Sequence, residues 1–319
     1  MKFNDKGPEV RALQQALISK GYNLPQYGAD GHLGSETWDA LQDYSKDHRG
    51  LQWDPAVPSV VVDSVLQDVQ VTTDITRHPP ISDRILDAVP HYDFRATRPN
   101  PPPPVRGKMK VAIGRTGKVV SRPPHVVTGI VVHQTAVRYG ITSRMIQAAG
   151  GNRDLALARR AQDVACHALA FHNGTFATPN PLDWHVWHAN SLNRSCLGLE
   201  IDGRFAGLMD DPSTAAREDL RTTWGGEPNE LDEDLLMASC AALKWLVDEG
   251  RAQGQPIEWI YAHRQSSANR RSDPGEEIWR RLVLDYAVPV LGLKTDPKAV
   301  FGDGRPVPLK WDDLGEGPY

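Results

Sequence analysis

Residues 257–279 constrain this chain more than any other stretch. Ile257-Glu258-Trp259-Ile260-Tyr261 is an apolar run that reads as a buried strand, and His263 follows at its C-terminal end. Functional groups gather at such strand ends in α/β sheets. A polar loop then leads to Asp273-Pro274-Gly275. Proline holds the preceding residue extended and suits the first turn of a helix, so the pattern predicts a fixed turn at Asp273 and a helix from Glu276. A histidine and a carboxylate brought together by one loop need one more nitrogen to make a three-ligand zinc site with an open fourth position. The almost uninterrupted run Val126-Val127-Thr128-Gly129-Ile130-Val131-Val132 reads as a strand buried on both faces, and it delivers His133, the natural candidate.

The intervening chain reads as an alternation of helices and strands. Residues 142–149 and 155–164 have helical patterns divided by Gly150-Gly151, and residues 166–178 form a hairpin signal with Asn173-Gly174 at its turn. His167 and His172 lie on the first strand of that hairpin. Leu197-Gly198-Leu199-Glu200-Ile201-Asp202 alternates, so a leucine side packed on the core turns Glu200 toward a cleft. Residues 231–254 carry an amphipathic helical pattern, and a helix over 276–286 closes the fold. The segment 289–319 gives no functional signal.

Val131-Val132-His133-Gln134-Thr135, Ala262-His263-Arg264 and Ser272-Asp273-Pro274-Gly275 together resemble the zinc-dependent N-acetylmuramoyl-L-alanine amidases of the amidase-2 type. These are related to peptidoglycan recognition proteins and phage endolysins, and the resemblance covers about residues 126–286. It implies an α/β domain with a mixed central β-sheet flanked by helices, and Zn2+ held by His133, His263 and Asp273. Two imidazoles and a carboxylate leave an open position at which water becomes acidic enough, with a pKa of about 7, to attack an amide. The implied reaction cleaves the bond between N-acetylmuramic acid and the L-alanine of the stem peptide.

The same resemblance assigns further residues. The strand ending in Glu200 matches the one whose glutamate serves as general base and then acid. Arg271 stands where relatives usually carry lysine and would stabilise the oxyanion with the metal. His167 and His188 match positions lining the substrate cleft, and Trp184 and Trp187 offer aromatic walls, although aromatics near a site are more often core. Cys166 occupies the place of a tyrosine found in many relatives, which favours Glu200 as the proton carrier. The alternative is a non-catalytic peptidoglycan recognition protein using the same groove. That class lacks the third ligand, so Asp273 argues against it.

Residues 1–49 form a separate small unit. Val10, Leu13 and Leu17 keep helical spacing up to Gly21, Asp30-Gly31 marks a turn, and Ser35 opens a second helix with Trp38, Leu41 and Tyr44 inward. This text resembles the peptidoglycan-binding domain of many wall hydrolases, a three-helix bundle that grips polymer and performs no chemistry; the alternative is a helical hairpin that packs on the enzyme. Residues 50–124 read as a Pro-rich, irregular linker in which Pro101-Pro102-Pro103-Pro104 is a stiff spacer. Residues 60–71 fit either helix or strand. The basic run at Lys108, Lys110, Arg115 and Lys118 reads as a solvated face. The catalytic domain is expected at 125–288 and a tail at 289–319.

A length of 319 residues favours two domains, and 40% hydrophobic with 24% charged residues is ordinary for a soluble protein. A formal net charge of −4 gives no global attraction to nucleic acid or an anionic membrane, and no apolar run is long enough for membrane insertion. The expected partner is peptidoglycan, and the expected state is a monomer. Cys166, Cys196 and Cys240 cannot all pair within one chain and lack CxxC spacing, so they read as buried thiols of a reducing compartment. The N-terminus has no signal-peptide apolar region. The expectation is synthesis in the cytoplasm and action on the bacterial cell wall after holin-type release or injection.

Overall fold

Three strands run parallel and side by side at the centre of the larger unit. β2 (Gly129–Gln134) is buried along its whole length between parallel partners β5 (Cys196–Ile201) and β6 (Trp259–Ala262). In the computed structural model, residues 2–6, 8–22, 24, 27–47, 61–62, 86–215 and 227–319 are described. The chain divides into two units, Met1–Pro80 and Ile81–Tyr319.

The larger unit carries a mixed six-stranded sheet. With β1 (His91–Asp93), β3 (Ala168–Ala170) and β4 (Phe176–Thr178), the strand order is β1-β4-β3-β5-β2-β6. β3 and β4 form the expected antiparallel hairpin, and all other neighbours are parallel. Pairing of Val132 with Leu199 and with Ala262 sets one face of the sheet, with Ile130, Leu197 and Ile201, against the core. In the smaller unit α1 is Pro8–Ser19 and α2 Ser35–Asp47; in the larger, α3 (Ser143–Ala148) and α4 (Arg153–Ala158) precede the hairpin, and α5 (Glu233–Ala252) is the long helix. α5 places Leu235, Leu236, Leu243 and Leu246 in that core. α6 (Glu276–Ile278) continues as a π-helix over Trp279–Ala287.

Two segments differ from the sequence expectation. Residues 86–124 are not an irregular linker: β1 pairs with β4, Pro102 is buried, and Val111, Val119, Trp184 and Val186 form a small cluster joined by isolated bridges. Single bridges and a three-residue edge strand are too short to leave a period in the sequence. The tail also packs: Leu293, Val307 and Trp311 join the main core, and Lys294 bridges Trp259. Three scattered apolar residues in a Gly- and Pro-rich stretch give no pattern to read. Lys108, Arg115 and Lys118 are exposed, as expected.

In the smaller unit α1 and α2 bury Leu13, Leu17, Leu41 and Tyr44 around Leu33. Buried Gln14 holds the turn between them, donating to Asp30 Oδ1 at 2.8 Å and accepting from the Gly31 amide at 2.7 Å. Residues 60–71 lie outside the described residues except for 61 and 62, which are helical, with Val61 and Val62 buried.

Beneath the face of the sheet opposite α5 lies a sealed polar web. Arg122 donates to the carbonyls of Asn193, Cys196 and Leu182 at 2.9, 2.6 and 2.8 Å. Burial lowers its guanidinium to about 10. His167 is wholly buried; its Nδ1 accepts the Gly198 amide at 2.9 Å, so its Nε2 carries the proton, 3.1 Å from the Trp184 carbonyl. Burial, followed by Arg122, holds this imidazole well below its ordinary pKa, so it is neutral in the folded state. An unfolded chain protonates the same group below about pH 6.5. Its contribution is therefore complete above that pH and is lost as pH falls. Denaturant titrations from pH 7 to 5 should show stability falling, with His167 alone adding a slope of up to about 1.4 kcal/mol per pH unit. His167→Gln, which can reproduce both hydrogen bonds, should lose that increment of slope.

Candidate metal centre

The centre is assembled where β2 and β6 end. His133 is the penultimate residue of β2, and His263 follows β6 and opens a 3-10 turn, His263–Ser266. Continuing the register of Val132 with Ala262 brings the two histidines side by side. His133 Nδ1 lies 2.9 Å from His263 Nδ1, which lies 2.9 Å from Asp273 Oδ2. All three side chains are buried, and they are the one His/Cys/Asp/Glu group among the described residues whose ligand atoms all lie within 4.8 Å of one another.

Asp273 is held by its neighbours' backbone and by two polar side chains. The Gln134 amide donates to Asp273 Oδ1 at 3.0 Å, and the Arg264 amide donates to the Asp273 carbonyl at 3.0 Å. Gln134 Nε2 donates to the carbonyls of Ser272 and Pro274 at 2.7 and 2.9 Å, so the residue after one ligand clamps the loop bearing another. Arg264 donates to the Arg271 and Pro306 carbonyls at 2.7 and 2.9 Å, with its guanidinium 5.0 Å from the Trp311 ring. Gly275 has φ +110°, and a Cβ there would lie 2.8 Å from the Ala206 carbonyl, which explains glycine after Asp273-Pro274.

The donor set fits a divalent cation. One proton on His263 Nδ1 cannot satisfy both His133 Nδ1 and Asp273 Oδ2, so lone pairs face one another in a buried space. Separations of this size approach the edge of about 3.3 Å expected of a tetrahedron with zinc-ligand bonds of about 2.0 Å. Burial first, then His263, His188 and Arg270, hold the His133 imidazole well below its ordinary pKa, leaving it neutral as a ligand must be.

Glu200 is paired in register with His133 on parallel β5, which puts both side chains on the sheet face opposite Leu197, Leu199 and Ile201. It is half-buried, and its charge, after burial, raises both the Tyr139 phenol and the Cys166 thiol.

His167 and His188 are buried: His188 Nδ1 faces His133 Nε2 at 3.0 Å and its Nε2 faces the Cys196 carbonyl at 3.2 Å. Arg271 is exposed, donates to the Tyr319 carbonyl, and stacks 4.3 Å from the Tyr319 ring; it is Arg270 whose charge acts on His133. Trp184 is core, whereas Trp187 is half exposed beside His185. Sequence reasoning missed Gln134, Arg264, Arg122 and Tyr139. The first two sit beside ligands in the quoted motifs, while the others carry no local signal.

Known proteins bear on this geometry. Residues 122–276 match the family model of N-acetylmuramoyl-L-alanine amidase, and residues 6–52 match that described as "Putative peptidoglycan binding domain". The N-acetylmuramoyl-L-alanine amidase CwlL of Bacillus licheniformis is 44% identical over 46 residues, which are 14% of this chain and 13% of that protein. This match thus spans about an eighth of that relative's length. Among solved structures, the endolysin amidase LysCS of Clostridium intestinale is 17% identical, covering 51% of this chain and 88% of that one, with a TM-score of 0.31. Drosophila PGRP-LB is 16% identical, covering 56% and 88%, with a TM-score of 0.33. The E. coli amidase AmiD, solved with a muramyl-peptide substrate, is 18% identical, covering 56% and 61%, with a TM-score of 0.34. No helix among the described residues is long and apolar enough to cross a membrane. The chain thus carries an amidase domain of the N-acetylmuramoyl-L-alanine amidase family at residues 122–276 and a peptidoglycan-binding domain at residues 6–52.

Proposed function

We propose that this protein is a zinc-dependent peptidoglycan hydrolase that cleaves the amide between N-acetylmuramic acid and the L-alanine of the stem peptide. The observation that carries this reading is the convergence of His133 Nδ1, His263 Nδ1 and Asp273 Oδ2, with Glu200 in register beside His133. When bound, Zn2+ supplies Lewis-acid chemistry, polarising the scissile carbonyl and acidifying water. His133, His263 and Asp273 hold it, and Gln134 and Arg264 keep Asp273 in place.

Glu200 acts on protons. Its carboxylate takes one from the attacking water as the C–O bond forms, then delivers it to the alanine nitrogen as the C–N bond breaks. Its half-buried position suits a group that must exchange protons with substrate. The N-terminal unit supplies attachment to the wall polymer. The absence of any need for bulk positive charge agrees with a net charge of −4, since recognition is local. We place its action on the bacterial cell wall, the chain acting as a monomer after synthesis in the cytoplasm and release or injection.

Glu200→Gln should lower release of new L-alanine amino termini from sacculi by ~10²-fold or more while bound zinc, measured by elemental analysis, stays near one per chain. Turnover with that variant would remove Glu200 from the reaction. A chelator should stop the wild-type reaction and Zn2+ restore it; binding to sacculi with no new termini would identify a recognition protein instead. Deleting residues 1–80 should reduce co-sedimentation with sacculi while hydrolysis of a soluble muropeptide persists.

A further inference from the structure

The ring of His188 is buried and has a partner at both nitrogens. Its backbone amide is held by Asn193 Oδ1 at 2.8 Å, and its ring fits against β5 because residue 198 has no side chain. A Cβ at Gly198 would lie 2.8 Å from the Cγ and Nδ1 of His188. That gap in the strand, between Leu197 and Leu199 of the core, is therefore the seat of the imidazole.

Donor and acceptor accounting fixes the protons. The Cys196 carbonyl only accepts, so His188 Nε2, 3.2 Å away, donates to it. The ring is buried, and the partners of its two nitrogens are a carbonyl and a second imidazole with no carboxylate between them, so it is neutral. Its Nδ1 thus carries a lone pair. His133 Nε2, 3.0 Å from that lone pair, must carry its own proton and donate it. A neutral imidazole has one N–H, so His133 Nδ1 is left bare, and this is the atom that faces His263 and Asp273. The relay runs from the Cys196 carbonyl through His188 to His133. The neighbouring His167 has its protons set by the same rule, accepting from Gly198.

We infer that His188 is a positioning residue: by accepting the Nε2 proton of His133 it locks that ring in the tautomer and orientation that present Nδ1 to the metal, and it does not contact substrate. This rests on the metal reading proposed above. A ligating histidine normally gives its second nitrogen to a carboxylate, carbonyl or water, and losing such a partner costs about 10- to 100-fold in metal affinity. Here the partner is a second imidazole, itself anchored to main chain.

The test uses the full chain. Long-range 1H–15N NMR of the metal-free protein should show His133 protonated at Nε2 and bare at Nδ1; the opposite tautomer would overturn the inference. Zn2+ affinity, measured by competition with a chromophoric chelator, should fall ~10- to 100-fold in His188→Leu. In His188→Gln it should stay near wild type, because the amide can accept from His133 and donate to Cys196. Unchanged Zn2+ affinity in His188→Leu with a raised KM for muropeptide would make His188 a substrate contact and overturn the inference. Should His188→Leu fail to fold, the wild-type tautomer and the Gln variant still decide. If the wild type takes up no Zn2+, the metal reading fails by itself, and the His133 tautomer still reports whether the relay exists.

Discussion

Parallel pairing of β2 with both of its neighbours is the constraint on which the larger unit depends. Because β5, β2 and β6 run in one direction, their C-terminal ends share an edge of the sheet. Glu200, His133 and His263 sit at those three ends. An antiparallel neighbour would have carried one of them to the opposite edge. The close approach of the strands is visible at Gly129, where a Cβ would lie 3.0 Å from the Trp259 carbonyl and 3.3 Å from Cys196 Sγ.

Bringing two imidazoles and a carboxylate together out of water is costly unless each polar atom finds a partner. The partners come in a layer behind the ligands. Gln134 directly follows His133 and Arg264 directly follows His263, and each reaches the loop that bears Asp273, so chain connectivity braces the three side chains against one another. Around His133 the layer is made of His188, Cys196 and the web around Arg122 and His167. Each such bond is worth on the order of 1 kcal/mol net, but an orphaned partner costs more, so the layer acts as a unit.

The C-terminal segment packs on the loop between His263 and Asp273. Arg264 lies 5.0 and 5.5 Å from the rings of Trp311 and Tyr319, and Arg271 stacks on Tyr319 as well. Gln265 ties the same segment by donating to the carbonyls of Asp296 and Ala299 at 2.8 and 3.0 Å. A guanidinium engaged in this way serves the loop's conformation, which is why the position two residues before Asp273 differs in role from the one three residues before it, Arg270, whose charge reaches His133.

Local sequence determined a good deal. The β-branched run fixed β2 as a buried strand, Asn173-Gly174 the hairpin of β3 and β4, strict alternation the face of Glu200, and the turn Asp273-Pro274-Gly275 the start of α6. These are short-range effects, set by sterics and side-chain period within a few residues. The ligand trio was legible because two members share one loop and the third ends a strand. Only the tertiary structure decided that His188 meets His133, that Arg271 meets Tyr319, and that residues 86–124 and the tail pack on the sheet domain. The physical reason is range: a hydrogen bond such as that between His133 and His188 spans 55 residues, and nothing in the immediate neighbourhood of either ring specifies which nitrogen its partner will occupy.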